Sequence, residues 1–413
     1  MSLRTERTAR LLLVFSVASV LSFAIRVPAI AVDDSPSYLE PARSWAAGHG
    51  LREGGRPLES RLPLYPLALG LVIRLFGDAP VGFSLLNSAC HIAAVLLVRD
   101  VLRRRVDGTI ADFTAAAAIL YPPLLTSTGL VLQESFLSLL LALFFWALWR
   151  ALESGDTAWS AAAGAALGLS ALAKVTSLPL AVPAAALVAL ARPGMGGARE
   201  WRTSRPVRVA AFVAGAALVL SPWAIRNDRV LGRLEVTNNN GGQTLLGGTV
   251  SNTITNWSAF PEYLAARQAW SESEHSVYPV LDRYLYVVAW RRIVAAPGHW
   301  LTLVVERVGR FMLPARHGLV ARGLAQTGTF PPWYIFETAV NAALFAGAAW
   351  SVVVAMRRRD AALLAAPLIV FGHHVLYAVT YVSPRYGVTV GPVLIAAAVL
   401  AIARPPARAV SER

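Results

Sequence analysis

The run LVLQESFLSLLLALFFWALW, residues 130–149, decides the class of fold. A bilayer core about 30 Å thick is crossed by roughly 20 helical residues, and this run has that length with Glu134 as its only ionisable side chain. A lone carboxylate at such a place is costly unless it is paired or used. Comparable apolar runs lie at 11–30, 80–98, 110–128, 158–173, 176–191, 207–223, 333–356, 361–381 and 384–403. Apolar residues make up 56 % of the 413 and charged residues 15 %, and mean hydropathy is +0.52. An average soluble domain carries about 25 % charge, so a single soluble domain is excluded, as is a disordered or fibrous chain. The pattern predicts an all-α polytopic membrane protein, read as one membrane domain over 1–413.

The net charge of +14 follows from topology rather than from a nucleic-acid partner. Of the 38 basic side chains all but Lys174 are arginine, a bias that points to a GC-rich, bacterial genome. The arginines cluster in alternate short connections: Arg4, Arg7 and Arg10; Arg99 and Arg103–Arg105; Arg192, Arg199, Arg202, Arg205 and Arg208; Arg357–Arg359; and Arg404, Arg408 and Arg413. By the positive-inside rule these face the cytoplasm. Ten spans alternate through all five clusters and put both termini inside a plasma or inner membrane. Two apolar stretches, Leu64–Phe76 and His299–Leu313, carry internal charge and are read as helices in the outer interface. The outer face then holds the segments 31–79 and 224–332, with no appended soluble domain. Segment 31–62 has five acids and four arginines, and 224–298 has six and seven, so both are near neutral. A rival reading of the N-terminus is a cleavable signal peptide ending at Ala29-Ile30-Ala31; Arg26 and Pro28 interrupt the run and argue for a retained span. One cysteine, Cys90, excludes a disulfide framework and a Cys-based zinc or iron–sulfur site. No P-loop, dinucleotide fingerprint or HExxH occurs.

Polar groups gather at the outer ends of the spans. Asp33-Asp34-Ser35-Pro36 opens the first outer segment, with Ser35 as a helix cap before Pro36; its acids read either as an N-cap or as a general base or metal ligand. Arg61 leads into Leu62-Pro63-Leu64-Tyr65-Pro66, as a phosphate-holding guanidinium or a snorkelling anchor. Tyr121-Pro122-Pro123 ends the third span. Glu134 stands one turn into the fourth, either paired with a base such as Arg26 or facing Asp34 as a second acid. Lys174 sits between two spans, as a phosphate ligand or a helix C-terminal cation. Ser221–Asn227 ends the seventh span with Arg226. The run Asn238–Gln243 reads as a polar loop that does not form a helix easily. Arg385-Tyr386 turns between the last two spans, reaching a lipid phosphate or anchoring in the interface. His91, His373 and His374 lie within spans, as helix contacts or ligands.

In this order the pieces resemble the membrane glycosyltransferases of the GT-C fold, in particular the superfamily of dolichyl-phosphate-mannose protein mannosyltransferases and aminoarabinose transferases. The resemblance rests on Asp34…Tyr38, Arg61–Pro66, Pro122-Pro123 with Glu134, Ala173–Thr176, Pro222–Asn227 and Arg385-Tyr386. It implies transfer of a sugar from a polyprenyl-phosphate donor to a lipid, glycan or protein acceptor at the outer face. Asp34 acts as base, with Asp33 and Glu134 beside it. Arg61, Lys174, Arg226, Arg385 and Tyr386 hold the carrier phosphate. Some members bind a divalent metal near the first loop, here with Asp34 as the ligand. Relatives often have Asp-Glu where this chain has Asp34-Ser35. The competing classes are a transporter or lipid flippase, which predicts paired halves and broken mid-membrane helices, and an inactive scaffold of the same fold, in which Asp34 and Glu134 are dispensable.

Overall fold

The computed structural model describes residues 3–32, 34–191, 203–252, 254, 257, 259–273, 280–313 and 331–403. Asp33 and the expected arginines 192, 199, 202, 404, 408 and 413 lie outside these residues.

Seven helices among the described residues are long and apolar enough to cross a membrane. They include α1 (Leu3–Arg26), preceding two short helices, α2 (Pro36–Ala46) and α3 (Leu64–Phe76). The next is α4 (Pro80–Arg103). After it, α5 (Gly108–Leu120) and α6 (Pro122–Thr128) meet at 54° as a bent pair rather than one straight helix. The expected continuous span 110–128 is therefore corrected: Pro122 and Pro123 cannot continue the α5 ladder, so the chain breaks at Tyr121.

The central helix is α7 (Glu134–Ser154), 78 % of whose most apolar window is buried inside the protein. Its Leu137, Leu141, Phe144, Phe145, Leu148 and Trp149 lie in the largest apolar cluster. Glu134 is the first residue of this helix rather than one turn into it. There the peptide dipoles favour a negative charge.

The expected spans 158–173 and 176–191 are α8 (Thr157–Ala173) and a 3-10 turn, Val175–Leu180, running into α9 (Ala181–Leu190). At about 26 Å for α8 they are shorter than a full crossing. α8 packs on α10 (Arg205–Leu231) through small residues. A Cβ on Gly164 would lie 1.8 Å from the Phe212 carbonyl oxygen, and one on Gly215 would lie 2.1 Å from that of Ala161. Only glycine permits that approach. α10 continues through Pro222 to Leu231, beyond the expected end at 223, and stops at Gly232 in the left-handed region.

Four helices follow: α11 (Gly241–Val250), α12 (Pro261–Ser271), α13 (Leu281–Ala295) and α14 (Pro297–Arg310). On α14, Leu303 and Arg307 are buried while Leu301, Val305 and Val308 are exposed, an amphipathic pattern suited to an interface. The last spans are α15 (Pro332–Arg358), α16 (Ala365–Val379) and α17 (Gly391–Ile402), the last entered by the 3-10 turn Pro384–Val390. Helix α11 corrects the expected loop at Asn238–Gln243. Its first amides are capped from another element: Asp282 Oδ1 on α13 accepts from the N–H groups of Gly242 (2.8 Å) and Gln243 (3.3 Å).

Candidate active site

The chain after α1 is stitched to the α6–α7 joint. Ile30 N–H donates to Gly129 O at 2.9 Å, and Val131 N–H donates to Ile30 O at 3.0 Å. Asn87 Nδ2 holds the intervening Leu130 carbonyl at 2.7 Å. Ser35 adds the last stitch. Its hydroxyl donates to Val131 O and accepts from Val32 N–H, each at 2.8 Å. The expected Ser35 cap on α2 is not made, because the side chain is engaged in this crossing. The result brings the start of α2 beside the start of α7, and with it Asp34 beside the Glu134 end of the bundle.

Asp34 is held between two guanidiniums. Arg61 Nη2 donates to Oδ1 at 2.9 Å, and Arg385 Nη2 donates to Oδ2. Arg385 Nε also lies 3.4 Å from Glu134 Oε1, near enough for attraction although not aligned as a hydrogen bond. Arg385 thus bridges the two acids. It is the ion-pair partner of both rather than a membrane anchor, and it, not Arg26, answers the charge of Glu134. Glu134 is 6 % exposed, and its Oε2 has no hydrogen-bond partner among the described residues. Asp34 is about a third exposed. Burial alone would raise its pKa, but Arg385 and Arg61 outweigh burial and hold the carboxyl below its ordinary value.

Aromatic rings carry the cations. Arg61 lies 4.8 Å from the centre of the Tyr38 ring, and its Nε donates to Ser37 Oγ at 2.8 Å. Ser37 in turn donates to the Asp34 carbonyl. Lys174, in the extended joint after α8, lies 4.0 Å from the centre of the Tyr386 ring. Arg385 approaches the same ring at 5.5 Å. Tyr377 packs against Tyr386 at 4.6 Å, and its hydroxyl pairs with Thr176 at 3.0 Å. No carboxylate pairs with Lys174 among the described residues. The cluster therefore holds three cations against two acids and carries one net positive charge.

Of the residues singled out from the sequence, Asp34, Arg61, Glu134, Lys174, Arg385 and Tyr386 come together. Asp33 lies outside the described residues. Arg226 stands elsewhere: its Nη1 donates to Leu58 O (3.0 Å) and Asn227 Oδ1 (2.8 Å), and its guanidinium covers Trp223. His373 and His374 are core contacts beneath the site; His373 Nε2 meets Thr389 Oγ1 and the Tyr386 carbonyl. Sequence reasoning missed Ser37 and Tyr377, and it used Tyr38 only as spacing. The recognisable signal was the serine three residues after Asp34, placed to hydrogen-bond back to the Asp34 carbonyl.

Among the described residues, which leave out Asp33, the donor set does not suit a divalent metal. Among the described residues no three His, Cys, Asp or Glu side chains converge, and both Asp34 oxygens already accept from guanidiniums. The arrangement suits an anion instead. A phosphate offered to Arg61, Arg385 and Lys174 meets two planar forks and a point charge.

No curated protein matches the chain. Two solved structures are similar to it: ArnT from Cupriavidus metallidurans bound to undecaprenyl phosphate, at 17 % identity, and the same protein in the apo state, at 16 %. Each comparison has a TM-score of 0.44 and covers 92 % of this chain and 77 % of the other. The family model described as dolichyl-phosphate-mannose-protein mannosyltransferase matches residues 57–225, a stretch that contains Arg61, Glu134 and Lys174.

Proposed function

We propose that this chain is a membrane glycosyltransferase that takes a sugar from a polyprenyl-phosphate carrier and passes it to a lipid, glycan or protein acceptor. The reaction takes place at the outer face of a bacterial inner or plasma membrane, with both termini in the cytoplasm. The observation that carries the reading is the cluster of three cations and two acids at one end of an apolar bundle. The family match over 57–225 supports it, since that family acts with a dolichyl-phosphate sugar.

The charge count fits the chemistry. A sugar–phosphate–prenyl donor is a phosphodiester with one negative charge. When the bond between the sugar C1 and the phosphate oxygen breaks, the departing polyprenyl phosphate gains a second. Arg61, Arg385 and Lys174 stabilise that gain, and fixed cations in a water-poor site are worth most where charge develops. The acceptor hydroxyl forms the new bond to C1 and gives its proton to Asp34. In the free protein Asp34 is a poor base, because both oxygens are held. The incoming phosphate competes for the same guanidiniums. Donor binding therefore frees the carboxylate it needs, while Glu134 keeps Arg385 from swinging away. Tyr386, lying under both Lys174 and Arg385, keeps the two cations apart and facing the phosphate.

The test is turnover by the purified protein in lipid nanodiscs. A panel of polyprenyl-phosphate sugars is supplied with a mixed lipid and peptide acceptor extract, and release of polyprenyl phosphate is measured. Release from one donor that is lost in Arg385→Ala supports the reading. Translocation of a labelled lipid across the bilayer without cleavage of the sugar–phosphate bond would replace it with the flippase.

A further inference from the structure

The tripeptide Leu58-Glu59-Ser60 stands immediately before Arg61. It follows a two-residue hairpin, Arg52–Glu53 with Arg56–Pro57, to which Leu58 N–H adds one bond to Leu51 O at 3.0 Å, and beyond Leu58 it has no helix or ladder of its own. All three of its carbonyls are nevertheless taken, each by a donor from residues 226–240. Leu58 O accepts from Arg226 Nη1 at 3.0 Å. Glu59 O accepts from Asn239 N–H at 3.1 Å. Ser60 O accepts from Asn238 Nδ2 at 3.0 Å and from Asn240 Nδ2 at 3.5 Å. The Glu59 carboxylate is held as well, by Arg233 Nη2 and Asn239 Nδ2, both at 2.7 Å. Asn238 and Asn240 brace each other at 2.6 Å.

Asparagine suits this task. Each side chain offers two N–H donors and an acceptor on a short stem, so three in a row can follow an extended backbone. A backbone without its own pairing partners is held only as firmly as the groups that pair with it. The free end of this segment is Arg61, whose fork must reach Asp34 Oδ1 and Ser37 Oγ together.

We propose that Asn238, Asn239 and Asn240, with Arg226 and Arg233, are positioning residues for Arg61. They form a latch that fixes the backbone from which the guanidinium reaches the site. The latch touches no reacting atom and acts through Arg61 alone. The assignment rests on the proposed donor-phosphate role of Arg61. It also gives Arg226 a function away from the phosphate itself.

The test is a double-mutant cycle on undecaprenyl phosphate binding in nanodiscs, with hydrogen–deuterium exchange of residues 57–62 measured in parallel. The pair Asn238→Ala/Asn240→Ala removes both side-chain donors to Ser60 O. It is expected to weaken binding about tenfold with Arg61 present, the effect of two modest hydrogen bonds, and less than about twofold with Arg61→Lys. Exchange over 57–62 rises in both backgrounds. The milder Asn238→Ser alone is expected to weaken binding about threefold. Equal losses in the two backgrounds overturn the latch, because the asparagines then act independently of Arg61. Unchanged exchange over 57–62 overturns it as well, whatever happens to affinity. If the parent protein does not bind the lipid while exchange still responds to the asparagines, the phosphate reading falls and the positioning role falls with it.

Discussion

The two ends of α7 use the same chemistry for opposite purposes. Glu134 opens the helix among Asp34, Arg61 and Arg385. Roughly 28 Å further along, Glu153 pairs with Arg105 at 3.1 Å, and the same arginine reaches Asp360 at 2.6 Å and covers Trp149. Beside them Asp112, only 1 % exposed, accepts from Arg99 at 2.6 Å and from Arg103 at 2.8 Å. At that end every carboxylate oxygen of Asp112 has a donor. At the Asp34 end, among the described residues, Glu134 Oε2 has no partner, Arg385 Nε is unaligned and Lys174 lies against the Tyr377 and Tyr386 rings with no carboxylate. Ion pairs that tie helices together can be fully satisfied. A site that must admit an anion and release a base keeps unused capacity, at a cost in stability. Capacity left over, rather than the mere presence of buried charge, separates the proposed working end from the structural one.

The sharpest way to break this contrast is to neutralise one acid at each end. Asp34→Asn removes the proposed base and is expected to slow transfer by about two to four orders of magnitude. The same change leaves Arg61 and Arg385 without their carboxylate, so undecaprenyl phosphate is expected to bind at least as tightly as before. Turnover and lipid binding measured on one preparation check both halves. Full activity would remove Asp34 from the chemistry, and weaker binding would show that the carboxylate, rather than opposing the phosphate, organises its site.

Asp112→Asn should do the reverse. It strands two arginines at a buried position and is expected to cost about 2–3 kcal/mol of stability, less than a fully enclosed pair because both arginines are partly exposed. A lowered midpoint of thermal unfolding, with turnover per folded molecule unchanged, is the expected outcome. A selective loss of turnover would mean that the two ends are coupled through α7.

A smaller effect is expected from Lys174→Ala. Lys174 pairs with no carboxylate among the described residues, so its removal strands no buried acid there and mainly subtracts attraction for the phosphate. Affinity for undecaprenyl phosphate should fall about tenfold, or ~1.4 kcal/mol, and titration of the lipid against both proteins at fixed salt measures it. Unchanged affinity would reassign Lys174 to the joint between α8 and α9.

These contrasts were only partly legible in the sequence. Apolar runs locate the seven full-length spans, because lipid demands about the same length of apolar helix each time, but they do not show that 110–128 is bent or that the helices at 157–173 and 175–190 are short. Runs cannot report a partner's help. Asn238–Gly242 looks hostile to helix until Asp282, forty residues on, supplies the missing acceptor for its amides. Pro222 looks like an end, yet α10 goes on past it to Leu231. The spacing Gly164…Gly168 is a visible sign of the contact between α8 and α10. In the site, Asp34, Arg61, Glu134 and Arg385 were each readable as charges out of place. Their mutual geometry was not, since it depends on the parallel pairing of Ile30 with Leu130, a contact across a hundred residues. Arg226 shows the limit most clearly. An arginine at a helix end beside an outer loop reads as a phosphate ligand, and only the fold reveals that it holds the Leu58 carbonyl.

The last expected difference between the two ends lies in their response to pH. In the free protein burial would raise the Asp34 pKa, but the two guanidiniums hold it below its ordinary value. A depressed carboxylate contributes stability above its unfolded pKa, near 4, and loses it as pH falls through the lower folded value. The free protein therefore keeps its base ionised into the acid range. In the proposed mechanism donor binding turns Arg61 and Arg385 toward the phosphate and adds an anion nearby, and both changes would raise the Asp34 pKa. The pH dependence of kcat/KM reports the free protein and that of kcat reports the donor complex. The acid limb of kcat should accordingly lie at higher pH than that of kcat/KM. Arg61→Lys, which keeps the charge but loses the fork, should narrow the gap. Coincident limbs would mean that the guanidiniums stay on Asp34 throughout the reaction. The Asp34 cluster would then be a structural tie like that at Asp112, and the base would have to be sought in another residue.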